Sequence, residues 1–162
     1  MKRLVLLAGI LLLNSPVPAE EVRTQDFTQE IPLYALSLIG TPYKYGGNHP
    51  ETGMDCSGFV SHVYRQIAGL QLPRNSQEIS RHGAALEPFE LQPGDLVFFN
   101  TLGRPFSHVG VYLGESRFIH ASSSQTRTVM VSDMNQPYWS RRFDGARRLL
   151  APVDNKKPNS QP

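Results

Sequence analysis

The sequence predicts one α+β domain built on an antiparallel sheet. Apolar residues in the first half recur at helical spacing, the second half reads as short apolar strands joined by Gly/Pro turns, and one stretch there has the form of a hairpin. Helices first and strands later point to an antiparallel sheet rather than to alternating βαβ units. At 162 residues the chain is long enough for one core and short for two.

Met1-Lys2-Arg3 precedes an apolar run over residues 4–13 and then Val17-Pro18-Ala19. A basic start, a short apolar run and a small-residue cleavage site make residues 1–19 a secretory signal peptide. The run is shorter than the roughly 20 residues a membrane span needs. No cysteine lies near the cleavage site, so neither a lipid anchor nor a stable membrane anchor is expected. Residues 20–29 are polar and aperiodic, a flexible leader before a domain over residues 30–151. The tail, residues 152–162, is polar and contains proline, and is expected to be disordered.

Within the domain, residues 31–39 can form a short helix with Pro32 in its first turn and Gly40 as its stop. Residues 41–47 are extended and end in a Gly-Gly turn. From Cys56 onward Phe59, Val60, Val63, Tyr64 and Ile67 share one helical face, and Gly69 ends this central helix. Asn75-Ser76-Gln77-Glu78 has the form of an N-cap with a glutamate three residues later, opening a short helix that stops at Gly83. Gln92-Pro93-Gly94-Asp95 is a turn, and residues 96–99 are a buried strand. Residues 108–113 and 117–120 flank Gly114-Glu115-Ser116 as a hairpin. Residues 128–131 and 146–150 are the last strand candidates.

Without Lys2 and Arg3 the 16 basic residues fall to match the 14 acidic ones, which gives no global footprint for nucleic acid. Arg141-Arg142 and Arg147-Arg148 are local basic pairs, expected on a solvated face. The single cysteine rules out an internal disulfide. In an oxidising compartment an unpaired thiol is either buried and inert or kept for its chemistry.

Cys56 falls at or one residue inside the start of the central helix, where unpaired amides and the helix dipole favour negative charge. That position lowers a thiol pKa and offers N–H groups to an oxyanion. A nucleophile needs a base, and the base an orienter. With a three-residue turn, Leu113 pairs with Arg117 and Gly110 lies opposite His120. His108 and His120 are then diagonal neighbours on one face, with Gly110 leaving space between them. The residues therefore suit Cys56 as nucleophile, His108 as general base and His120 as orienter. His62 points away from Cys56 on the helix, and His49 and His82 read as surface residues. Cysteine and histidine are also zinc ligands, but the close spacing of zinc sites is missing, and no metal or other cofactor is expected.

The motifs Gly40-Thr41-Pro42-Tyr43-Lys44-Tyr45-Gly46-Gly47, Asp55-Cys56-Ser57-Gly58-Phe59-Val60, Leu72-Pro73-Arg74, Pro93-Gly94-Asp95-Leu96-Val97-Phe98-Phe99, His108-Val109-Gly110-Val111-Tyr112-Leu113-Gly114 and Phe118-Ile119-His120-Ala121 occur in order between residues 31 and 150. Together they resemble the NlpC family of cell-wall cysteine peptidases. The resemblance implies a papain-like α+β fold, with the helix bearing the nucleophilic cysteine packed on an antiparallel sheet. It assigns the same roles to Cys56, His108 and His120, and it points to Tyr43 at the oxyanion or substrate side. Asp55 and Ser57 flank the nucleophile, to recognise substrate or to cap the helix. Residues 134–139 with Ala146-Arg147-Arg148 are similar to the Spr-type murein endopeptidases of Gram-negative bacteria.

The resemblance further implies that the substrate is the peptide stem of peptidoglycan, with the D-alanyl to diaminopimelate cross-link as the favoured bond. Cleavage between D-glutamate and diaminopimelate, a secreted wall-degrading effector, and a binding module without activity are the alternatives. A monomer acting in the periplasm or outside the cell is expected, without nucleic-acid partners.

Overall fold

A computed structural model describes residues 27–124 and 126–150. The signal peptide and the tail expected from the sequence lie outside the described residues.

The first helix, α1 (Phe27–Ser37), starts earlier than its sequence pattern implied, so the leader does not extend to residue 29. Phe27 packs against the core below Ile31 and Ala35, and this apolar contact extends the helix by one turn. Pro32 consequently lies inside the helix rather than in its first turn. The chain then runs through β1 (Asn48–His49) and β2 (Gly53–Met54), a two-stranded ribbon. It enters the central helix α2 (Cys56–Ala68) directly afterwards.

Both ends of α2 are written in the sequence. Asp55 is the N-cap, and its carboxylate accepts from the Gly58 N–H at 2.7 Å. Gly69 takes the left-handed conformation at φ 64°, and the N–H groups of Gly69 and Leu70 close onto the carbonyls of Arg65 and Tyr64. The buried face carries Phe59, Val60, Val63 and Tyr64. Gly58 is required by packing, because a Cβ there would collide with the Gly47 carbonyl. The following α3 (Ser76–Ile79) is a single turn capped by Asn75, whose side chain accepts from the Glu78 N–H at 2.8 Å.

The remaining elements form one antiparallel sheet of six strands. They are β3 (Ala84–Leu86), β4 (Leu96–Phe99), β5 (His108–Gly114), β6 (Arg117–Ala121), β7 (Val129–Asp133) and β8 (Phe143–Arg148), in the order β3-β8-β4-β5-β6-β7. β3 had no strand pattern in the sequence, since two of its three residues are exposed at the sheet edge. The last strand begins three residues earlier than expected, because Phe143 and Gly145 pair with β4 across an irregularity at Phe98/Phe99. A one-turn helix, α4 (Pro137–Ser140), lies between β7 and β8.

The β5–β6 turn differs from the three-residue form. Glu115 and Ser116 both have positive φ, at 51° and 58°, so the connection is a two-residue turn with Gly114 opposite Arg117. A register shift between Tyr112 and Gly114 absorbs the extra residue. Val111 therefore still faces Ile119, the alignment that brings the two histidines together.

Strand alternation divides the core in two. Val109, Val111, Ile119 and Ala121 face α1 and α2, together with Leu96 and Phe98. Val97, Phe99, Phe118 and Ala146 face the other way, against Trp139 of α4. Arg147 and Arg148 are not a solvated pair. Arg148 donates to both carboxylate oxygens of the buried Asp95 at 2.8 and 2.7 Å, and Arg147 donates to the Ser80 carbonyl at 2.6 Å. Asp95 also accepts from the Gln92 N–H, and the Tyr64 hydroxyl donates to the Gly94 carbonyl. The Pro93-Gly94-Asp95 turn thus locks α2 and β8 to the beginning of β4.

Candidate active site

Cys56 is the first residue of α2 and is half-buried against the core. Backbone N–H groups of Val109, Ser57 and Cys56 itself favour negative charge on its sulphur. Val109 adjoins His108, so the nucleophile candidate meets the sheet where β5 begins. The expected lowering of the thiol pKa is reversed: burial pushes it up to about 11, the neighbouring Asp55 carboxylate adds to this, and the three N–H groups oppose it. The resting site therefore holds a neutral thiol.

His108 and His120 stand on the face of the sheet that carries Phe118 and packs against Trp139 of α4. Nε2 of His108 lies 2.8 Å from Nδ1 of His120, and Nε2 of His120 lies 3.0 Å from Oγ of Ser132. In the base-competent arrangement, His108 donates Nε2–H to His120 and His120 donates Nε2–H to Ser132. That leaves Nδ1 of His108 as the ring nitrogen outside this line. His120 spends both ring nitrogens on these partners, which is the layout of an orienter. Burial pushes His108 down to about 4, and burial together with His108 pushes His120 well down, so both rings are neutral at neutral pH.

Aromatic rings produce that burial. Trp139 stacks on His108 at 5.6 Å between centroids and 28°, and Phe118 stacks on His120 at 4.8 Å and 24°. Gly110 makes this layer possible. A Cβ there would lie 2.7 Å from the Phe118 ring and 3.2 Å from the His120 Cβ.

Tyr43 reaches the site through the segment before β1. Gly40 and Tyr43 donate backbone hydrogen bonds to Val129 and Arg127, Val129 donates to Thr41, and Tyr43 bridges Met54. Burial raises the Tyr43 hydroxyl pKa, with Cys56 and Asp55 adding to the shift. The group is therefore a proton-bearing donor near the thiol. Asp55 and Ser57 are tied into the scaffold. Asp55 accepts from Gly58, Gly46 and Ser57 and pairs with Arg74 at 3.3 Å, while the buried Ser57 hydroxyl also lies 2.7 Å from the Arg74 carbonyl.

Ser132 and Trp139 were not singled out as site residues in the sequence. The signal for Ser132 was strand parity. His120 faces Met130 and Phe118 faces Ser132, so Ser132 is the diagonal neighbour of His120 on its own face. Trp139 comes from a separate one-turn helix, and no local pattern links it to the sheet. His62 is buried away from the site, bonded to the Tyr34 hydroxyl at 3.0 Å and to Arg65 at 3.3 Å. His49 and His82 are exposed. Among the described residues, no group of three or more His, Cys, Asp or Glu side chains is placed to hold a metal ion.

Residues 40–148 match the family model described as the NlpC/P60 family. The chain is 43% identical over 130 residues to murein DD-endopeptidase MepS/murein LD-carboxypeptidase of Escherichia coli, covering 80% of this chain and 67% of that protein. It is 37% identical over 145 residues to the gamma-DL-glutamyl hydrolase of Bacillus subtilis, covering 86% of this chain and 35% of that one. A crystal structure of an NlpC/P60 family protein from Bacillus cereus superposes with a TM-score of 0.70 at 32% identity, covering 76% of this chain and 40% of that one. The chain thus spans from about a third to two thirds of the length of these relatives. The ordered motifs, the helix-start cysteine beside a histidine-bearing antiparallel sheet and the match over residues 40–148 agree, and the chain belongs to the NlpC/P60 family.

Proposed function

We propose that this domain is a cysteine-type peptidase that hydrolyses peptide stems of peptidoglycan. The observation that carries the reading is the hydrogen-bonded line from His108 through His120 to Ser132, which begins at the residue adjoining the Val109 amide on the Cys56 sulphur. A neutral thiol and a neutral imidazole suit proton transfer in step with attack. Nδ1 of His108 takes the proton from Cys56, and the sulphur adds to the scissile carbonyl. His120 holds the imidazolium that forms. The amides at the start of α2 and the Tyr43 hydroxyl donate to the oxyanion. The leaving amine takes the proton from His108, a water then gives its proton back to the ring, and the thioester is hydrolysed.

The favoured bond is the D-alanyl to diaminopimelate cross-link, supported by the 43% identity to a protein named as a murein DD-endopeptidase. The similarity to a gamma-DL-glutamyl hydrolase supports a second reading, cleavage at a D-glutamyl bond. Asp55 and Ser57 act in this proposal by fixing the helix start that carries Cys56. The enzyme would work in the periplasm or outside the cell, as a monomer. Among the described residues, no helix is long and apolar enough to cross a membrane.

Incubating the purified protein with cross-linked muropeptides and reading the products by mass spectrometry tests both readings. Conversion of dimers to monomers identifies the cross-link as the bond cut, and loss of the D-glutamyl linkage identifies the second. Cys56→Ala is expected to remain folded and yield neither product. Turnover by that variant would refute the mechanism.

A further inference from the structure

Beside the catalytic end of the sheet lies a groove of about 490 Å³, lined by Asn100, Thr101, Gly103, Arg141, Arg142 and Asp144. Strand pairing explains its position. Phe99 lies opposite both His108 and Phe143, so the chain leaving β4 and the chain entering β8 meet where β5 begins. The Asn100 N–H donates to the Arg142 carbonyl at 2.7 Å.

The walls are held in place. The N–H groups of Thr101 and Leu102 donate to the Ser107 hydroxyl at 2.9 and 3.1 Å, and Ser107 immediately precedes His108. The Arg142 guanidinium lies 4.0 Å from the Tyr138 ring centroid and donates to the Tyr138 carbonyl at 3.0 Å. Tyr138 packs on Trp139, and Trp139 stacks on His108. Asp144 already accepts from the Phe106 N–H at 2.8 Å. Among the described residues no carboxylate pairs with Arg141 or Arg142. Two guanidiniums and one carboxylate give the groove a net positive charge.

We propose that this groove binds a carboxylate of the substrate stem peptide, with the exposed Arg141 guanidinium as the principal fork and Arg142 as a fixed second cation. This rests on the peptidoglycan reading above. The planar guanidinium matches a carboxylate with two parallel hydrogen bonds. The groove opens at the start of β5, the end of the sheet that carries His108, so an extended stem advancing about 3.4 Å per residue runs past it from the catalytic histidines. Such stems offer carboxylates on D-glutamate, on diaminopimelate and at a terminal D-alanine, and the groove recognises what these share.

The test uses the full chain carrying Cys56→Ala, titrated by calorimetry with a cross-linked muropeptide and with versions amidated at each carboxylate in turn. Arg141→Gln, in the same background, is expected to weaken binding about 2–5-fold, the upper range of an exposed ion pair. Arg141→Lys is expected to restore part of the loss. The Arg141 effect should vanish for the one substrate amidated at the recognised carboxylate, which identifies the source. In the enzyme with Cys56 intact, Arg141→Gln should raise KM by the same factor and leave kcat unchanged. Equal weakening of free and amidated substrates, or none, would overturn the proposal, as would an absence of muropeptide binding altogether. Carboxylate-dependent binding by a protein that cuts no muropeptide would support the groove while refuting the peptidase reading.

Discussion

His108 and His120 share a hydrogen bond of 2.8 Å between Nε2 and Nδ1 while their ring planes stand at 84° to each other. The perpendicular arrangement lets each imidazole lie on its own aromatic ring, His108 on Trp139 and His120 on Phe118. Orientation and desolvation of the base therefore come from one packed layer, and changing either should alter the other.

Removing the orienter should be less damaging than removing the nucleophile. His120→Ala is expected to lower kcat on the order of 10²–10⁴-fold. Ser132→Ala leaves Nε2 of His120 without its partner, a cost of about 1–3 kcal/mol, or at most about 5–160-fold in rate if it falls wholly on the transition state. Steady-state kinetics of folded variants check the order. A Ser132→Ala enzyme with wild-type kcat would show that the line ends functionally at His120.

The thiol should be protonated in the resting protein. Burial holds Cys56 near 11 and His108 near 4, so ultraviolet thiolate absorbance should be absent at neutral pH, and alkylation should quicken steadily as pH rises. A thiolate titrating below pH 6 would mean that a preformed ion pair replaces the neutral pair.

Stability should fall as the solution is acidified through the histidine range. The His108 pKa is depressed in the folded state, so between its ordinary value and about 4 the unfolded chain binds the extra proton. Unfolding free energy should thus decline from about pH 6.5 towards pH 4, on the order of 3 kcal/mol from His108. His120 acts in the same direction. Chemical denaturation at a series of pH values measures this, and His108→Gln should flatten the slope.

Trp139→Leu should admit water to His108. The expected result is an acid limb of kcat/KM displaced to higher pH, since the burial that depresses the base is relieved. Loss of the ring should also destabilise the protein by about 2–4 kcal/mol. A destabilised variant whose acid limb stays in place would show that Trp139 serves packing alone.

Asp95 carries the lock between β4 and β8. Asp95→Ala removes the carboxylate on which the Arg148 guanidinium and the Gln92 amide converge, and should cost about 3–5 kcal/mol. The site lies at the other end of these strands, so at temperatures where the variant is folded its kcat should be near that of the parent. Thermal denaturation and kinetics together check this.

The sequence by itself determined the elements whose causes are local. Asp55 and Gly69 bound α2, Cys56 lies at its first residue, and the alternation of His108, Gly110 and His120 across a hairpin puts the two imidazoles on one face. The turn is one residue shorter than the pattern of Gly114-Glu115-Ser116 implies, and a bulge at the hairpin end restores the register before it reaches the histidines. Tertiary structure alone decided the rest, because it depends on residues distant in the chain. Trp139 from α4 and Phe118 from β6 close over the two imidazoles and hold His108 below its ordinary pKa, while burial against the helix-side core overrides the helix-start effect expected at Cys56. Ser132 completes the line from the neighbouring strand, and the turn at Asp95 captures Arg148 from 53 residues away. Patterns of period two and 3.6 place side chains on faces; only packing sets how dry those faces are, and dryness determines which protonation states the site holds.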